Sequence, residues 1–211
     1  SSAVAQQKHL IDPMLPGSLD PKPLPPLKNP DAPSMPAKEL FARKSTPFPD
    51  PPRSIGGDFN GCLAGAVSLP ITGPTWQVMR PSRNRNWGNP RLIRFIERFA
   101  KNTKKVGWNG LLVGDMAQPR SGQMFSKYTS HQIGLDVDIW YAPMPDHVQS
   151  REEREFSPGT DLVAPDLRRR RPRRHTNLFA IYAIPDRGIA SDLRVRTGLR
   201  QNATGLTALC S

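Results

Sequence analysis

Residues 130–140 read SHQIGLDVDIW, and the second half of this stretch alternates strictly between apolar and polar positions. A period of two belongs to a strand with one buried face. Leu135, Val137 and Ile139 then lie on one side, and Asp136, Asp138 and Trp140 on the other. Two carboxylates thus share a face. His131 precedes them, and Gly134 stands between, where the chain can turn. On a straight helix His131 and Asp138 would be roughly 10 Å apart, whereas ligands of one zinc sit about 2 Å from it. Only a turn followed by a strand aims both at one metal ion. His plus Asp is a competent zinc pair, and Asp136 on the same face is placed to orient a ligand from behind. Judged on spacing alone, the commoner arrangement is a hydrogen-bonded histidine beside a strand whose aspartates face water.

Upstream, residues 118–130 form a loop without periodicity that borders the motif. Its Arg120 is a candidate for meeting substrate carboxylates, with a plain surface loop as the alternative. Before it, Leu111, Leu112 and Val113 read as a short buried strand. Asn89 followed by Pro90 supplies an N-cap and a proline at the first helical position, and Leu92, Ile93, Phe95, Ile96 and Phe99 recur at helical spacing. That helix should end near Lys105, before Gly107.

The run SIGGDFNGCLAGAVSLPITG from Ser54 has the small residues and glycine turns of tight β-structure, so the folded core is expected over 54–187. Residues 1–53 hold thirteen of the 24 prolines and read as an extended tether. Beyond Tyr141 a polar connector leads to an arginine run at 168–174, and a short helix is expected about 177–183. Residues 188–211 carry no aromatic residue and no amphipathic order, and read as a poorly ordered tail.

At 211 residues the chain has room for one domain and a tail. Its net charge of +12 attracts polyanions, with nucleic acid, anionic lipid and the carboxylate-bearing bacterial wall as the classes to consider. Half of that surplus is the six arginines of 168–174. A nucleic-acid binder built on this run would want aromatic side chains for stacking, and few lie near it. No apolar run is long enough to span a bilayer. The chain starts SSAVAQQ, without a methionine or an apolar leader, which suggests a processed or clipped start. Cys62 and Cys210 permit a long-range disulfide without requiring one.

SHQIGLDVDIW, together with GDMAQPRSGQM and FNGCLAGAVSLPITGPTWQVMR upstream, resembles the penicillin-insensitive murein endopeptidases, members of the LAS group of zinc peptidases. The likeness runs over about 54–166. It implies an α+β fold in which a small antiparallel β-sheet with flanking helices cradles the metal. It also implies a periplasmic enzyme that uses zinc to hydrolyse the D-alanyl–diaminopimelyl cross-link of peptidoglycan. Carried over residue by residue, it makes His131 and Asp138 zinc ligands.

Elsewhere the chain departs from the family pattern. The family's third ligand and proton-transfer group come from a His-x-His pair near the C-terminus. The histidines here are His9, His131, His147 and His175, and no two stand one residue apart. His147 or His175 could substitute only if the chain folds back. Asp166 matches a position that serves a second metal in some relatives, but Arg169 stands where its companion histidine would be, and Tyr128 replaces another. After about Arg187 the apolar strand and His-x-His segment expected of the family are replaced by unrelated sequence, as a reading-frame change would produce, and any pairing of Cys62 with Cys210 would then be accidental. An inactive, wall-binding remnant is therefore the alternative to an active peptidase.

Overall fold

Asn89 sets the course of the longest helix: its side chain accepts a hydrogen bond from the Arg91 amide, and Pro90 at the first helical position needs no partner for a missing N–H. In the computed structural model, which describes residues 18–125, 130–157 and the backbone of 178–182, this helix spans Pro90–Asn102. Leu92, Ile93, Ile96 and Ala100 are its buried face, and Phe95 stacks on Phe99 at 5.8 Å. Burying the three large aliphatic side chains contributes roughly 1.5–3 kcal/mol each, against about 1 kcal/mol for the cap. Packing, not capping, holds the helix. It tightens into a 3₁₀ turn over Thr103–Val106, which stops at Gly107.

That apolar face lies on a five-stranded sheet. In chain order the strands are β1 (Arg53–Gly57), β2 (Asn60–Ala64), β3 (Val67–Ser68), β4 (Thr72–Gly73), β5 (Trp76–Val78), β6 (Trp87–Gly88), β7 (Leu111–Val113), β8 (Asp136–Pro143) and β9 (Leu178–Tyr182). The helices are α1 (Ala37–Phe41), α2 (Pro90–Asn102) and α3 (Arg151–Phe156). The large sheet runs β4-β5-β7-β8-β9 and is antiparallel except between β5 and β7, the pair that α2 connects. Trp76, Val78, Leu111, Val113, Val137 and Ile139 meet α2 in the main core, while Met79, Leu112 and Trp140 cluster separately. Strand alternation puts Asp136 and Asp138 on the side of β8 away from α2. The molecule is α+β, as the resemblance implies.

Two further pieces brace this frame. The hairpin β1–β2 packs Ile55 and Cys62 against Ala37 and Phe41 of α1, a short helix lying between the two proline-rich stretches. In the polar connector, Ser150 and Glu153 form a reciprocal capping box that starts α3. From α3, buried Arg154 donates to the Ile71 carbonyl and the Thr72 hydroxyl, and buried Glu155 accepts from the amide and hydroxyl of Ser82. The connector is therefore a clamp between β4 and the 3₁₀ turn Pro81–Arg83.

One expectation is overturned. The short helix expected about 177–183 is instead β9, which pairs Ala180 with Asp138 and Tyr182 with Asp136. A short apolar run such as LFAIY carries no period of its own, and the open edge of β8 supplies the hydrogen-bonding partner that decides its state. The arginine run, Asp166, His175, His9 and Cys210 lie outside the described residues.

Candidate metal centre

The turn before β8 is built from two residues in the left-handed region, His131 at φ 66 and Gly134 at φ 67. Gly134 has a double reason to be glycine. A Cβ there would sit 2.5 Å from Cδ2 of Leu63, and the conformation itself disfavours a side chain. Its carbonyl accepts from the Asn89 amide at 2.8 Å, so the turn is fastened to the start of α2. Ser54 adds a second tie, donating its hydroxyl to the Ile133 carbonyl at 2.8 Å. The Gln132 side chain accepts from the Gly61 amide and its carbonyl from the Gly122 amide. For His131, a non-glycine residue, the left-handed backbone costs of order 1–3 kcal/mol and persists only where its surroundings impose it.

The imposing group is Asp136. Its Oδ2 accepts from the His131 amide at 3.1 Å and lies 2.7 Å from the ring Nδ1. With Nδ1 engaged there, the other nitrogen, Nε2, points at Asp138, 3.4 Å from its Oδ2. His131, Asp136 and Asp138 are all buried. Burial alone would push the imidazole down, but its contacts with Asp136 and Asp138 and their negative charge outweigh that and raise it from 6.5 to about 10. Burial pushes the Asp138 carboxyl up, and the attraction of His131 opposes this. The pair favours a positive charge between its members.

The residues present fit a divalent metal at this point. Asp138 Oδ2 is buried and makes no hydrogen bond among the described residues, and 3.4 Å is longer than a charge-assisted hydrogen bond of about 2.7–2.9 Å. Two ligand atoms sharing one tetrahedral zinc, with bonds of about 2.0–2.2 Å, stand about 3.3–3.5 Å apart. Among the described residues no group of three or more His, Cys, Asp or Glu side chains gathers to hold a metal ion. A three-ligand zinc site at this point would need a donor from outside the described residues.

The other residues singled out from the sequence fall as follows. Arg120 turns toward the segment before β1: its Nε donates to the Thr46 carbonyl, and its guanidinium lies 5.5 Å from the centre of the Phe48 ring. His147 is solvent-facing, with a side chain 61 % exposed, and its nearest charged neighbour is Asp146. It is not brought to the pair.

Four residues given no role from the sequence matter here. Asp115, buried just after β7, takes Nη1 of Arg83 at 3.0 Å and Nη1 of Arg85 at 2.9 Å. Burial would raise this carboxyl, yet the two guanidiniums win and hold it below its ordinary value. Its carbonyl accepts from the Asp138 amide at 2.9 Å, so the ion-paired cluster is fastened directly to β8. Arginines two apart in SRNRNWG were the only sequence signal for it. The β1–β2 turn also brings Asp58 within electrostatic reach of Asp136 and His131.

Comparison with known proteins gives the same neighbourhood. The family model described as penicillin-insensitive murein endopeptidase matches residues 54–183. A protein of that name from Yersinia enterocolitica is 42% identical over 123 residues, covering 58% of this chain and 44% of its own length. Its namesake from Haemophilus influenzae is 45% identical over 86 residues, 41% of this chain and 30% of its own. That from Citrobacter koseri is 43% identical over 94 residues, 44% and 34% of the two. The chain thus spans less than half the length of these relatives. With the family model matched over more than half of its residues, the chain belongs to the penicillin-insensitive murein endopeptidase family.

Proposed function

We propose that this chain is built as a zinc peptidase of the bacterial wall, with His131 and Asp138 as two of the metal's ligands and the D-alanyl–diaminopimelyl cross-link as the bond addressed. The observation that supports it is the 3.4 Å separation of two buried donor atoms, Nε2 and Oδ2, with Asp136 fixing the imidazole from behind. When bound, zinc would polarise a scissile carbonyl and lower the pKa of water. The protein's own part is to hold the ring with Nε2 forward, to set an anionic donor beside it, and to exclude solvent from behind both. Such hydrolysis takes place where murein is, outside the cytoplasm. No helix among the described residues is long and apolar enough to cross a membrane.

A catalytic zinc normally has three protein ligands, and this sequence has no His-x-His pair. That observation favours a second reading, a wall-binding remnant of the family without turnover. Incubating the full chain with zinc and cross-linked muropeptide dimers, followed by chromatography, tests the pair. Loss of dimers supports the peptidase. Sedimentation with peptidoglycan without loss of dimers supports the remnant, and neither result would end the murein assignment.

A further inference from the structure

A cavity of about 600 Å³ opens between the proline-rich segment, the chain just after α1, the turn at Ser82–Arg85 and the loop holding Gln118 and Phe125. Among the described residues its lining includes five cationic side chains, Lys22, Arg43, Lys44, Arg83 and Arg85, and no carboxylate. Two acids outside the lining offset part of this charge: Glu39 pairs with Arg43, and Asp115 with Arg83 and Arg85. Lys22 and Lys44 form no ion pair among the described residues. The surplus is about three positive charges around one small volume, a strong local attraction for anions.

The walls are also of two kinds. Pro21, Pro23, Leu24 and Pro26 add apolar surface to the lining, with the Arg83 and Arg85 guanidiniums contributed by a separate turn. The basic side is held from behind, because Glu155 takes Ser82 and Asp115 takes both arginines. The proline side is tied in by Arg43, whose Nε donates to the Pro25 carbonyl and whose guanidinium lies 5.7 Å from the centre of the Phe125 ring. A ligand for such a place carries several negative groups on a short, partly apolar backbone. Through Asp115, the same arginines are joined to the strand that bears Asp138.

We propose that this cavity is a binding subsite for a peptide with free carboxylates, and, resting on the murein reading above, that it holds the stem peptide of peptidoglycan. The probe is an un-cross-linked muropeptide monomer, which has no cross-link to lose, titrated calorimetrically into the full chain. Reversing charge with Lys22→Glu plus Lys44→Glu should weaken binding roughly ten-fold. Lys101→Glu plus Lys104→Glu, the same change in net charge on the exposed side of α2 and its following turn, should leave it within about two-fold. A monomer with amidated carboxylates should bind the unaltered chain as weakly as the reversed variant binds the native probe.

Equal weakening by both pairs, tight binding of the amidated probe, or no binding by the unaltered chain would each overturn the subsite. So would displacement by inorganic phosphate at the same concentration as the peptide, which marks a generic anion pocket. Zinc content of the Lys22/Lys44 variant is measured alongside and should not change. Loss of the peptidase reading through the zinc measurement leaves the charge-reversal result standing, so the two ideas fail separately.

Discussion

A single oxygen of Asp136 engages His131 twice, at the ring Nδ1 and at the backbone amide. Ring orientation and loop conformation are therefore one constraint. The left-handed backbone of His131 and the direction of Nε2 stand or fall together.

Replacing that carboxylate isolates its charge from its shape. Asp136→Asn should lower zinc affinity about 10–100-fold, measured by competition with a chelator, while far-UV circular dichroism stays unchanged. Affinity equal to that of the unaltered chain would show that Asp136 does not orient the ligand.

Gly134→Ala tests the turn. The added Cβ meets Leu63 in a backbone conformation that side chains rarely adopt, so a loss of about 1–3 kcal/mol is expected in urea denaturation. Gly57→Ala, where nothing lies within 4 Å of the new atom, should cost less than about 0.5 kcal/mol. Equal costs would mean that the turn at 134 is not under the constraint described.

How far was this legible from residues alone? The strand of LDVDIW, its two-sided character and the cap at Asn89 were, because each is a local pattern with one physical solution. The period of two in β8 leaves no freedom about which face bears the aspartates. By contrast, α3 follows from the Ser150–Glu153 box, a local signal hidden in a polar, proline-bearing stretch. The Asp115 cluster is a tertiary fact: nothing near GDM says that arginines thirty residues earlier will reach it. β9 shows the opposite limit, since an apolar run takes the state its neighbour offers.

Asp115 also gives stability a pH dependence. Its carboxyl titrates below its ordinary value in the folded chain, so its contribution is complete above the ordinary carboxylate range and is lost as pH falls through the lowered value. Asp115→Asn leaves two largely buried guanidiniums without their anion and should cost about 3 kcal/mol at neutral pH. The variant should also lose part of the acid-induced destabilisation. Parallel stability curves from pH 7 down to about pH 2 for both proteins would show that the pair contributes nothing.

The most direct test of the proposed metal site is zinc analysis after equilibrium dialysis of the full chain, beside His131→Ala and Asp138→Ala. The geometry predicts about one zinc ion per unaltered chain and a large loss in each variant, since either change removes one of the two donors. Equal zinc in all three proteins, or none in the unaltered chain, would contradict it.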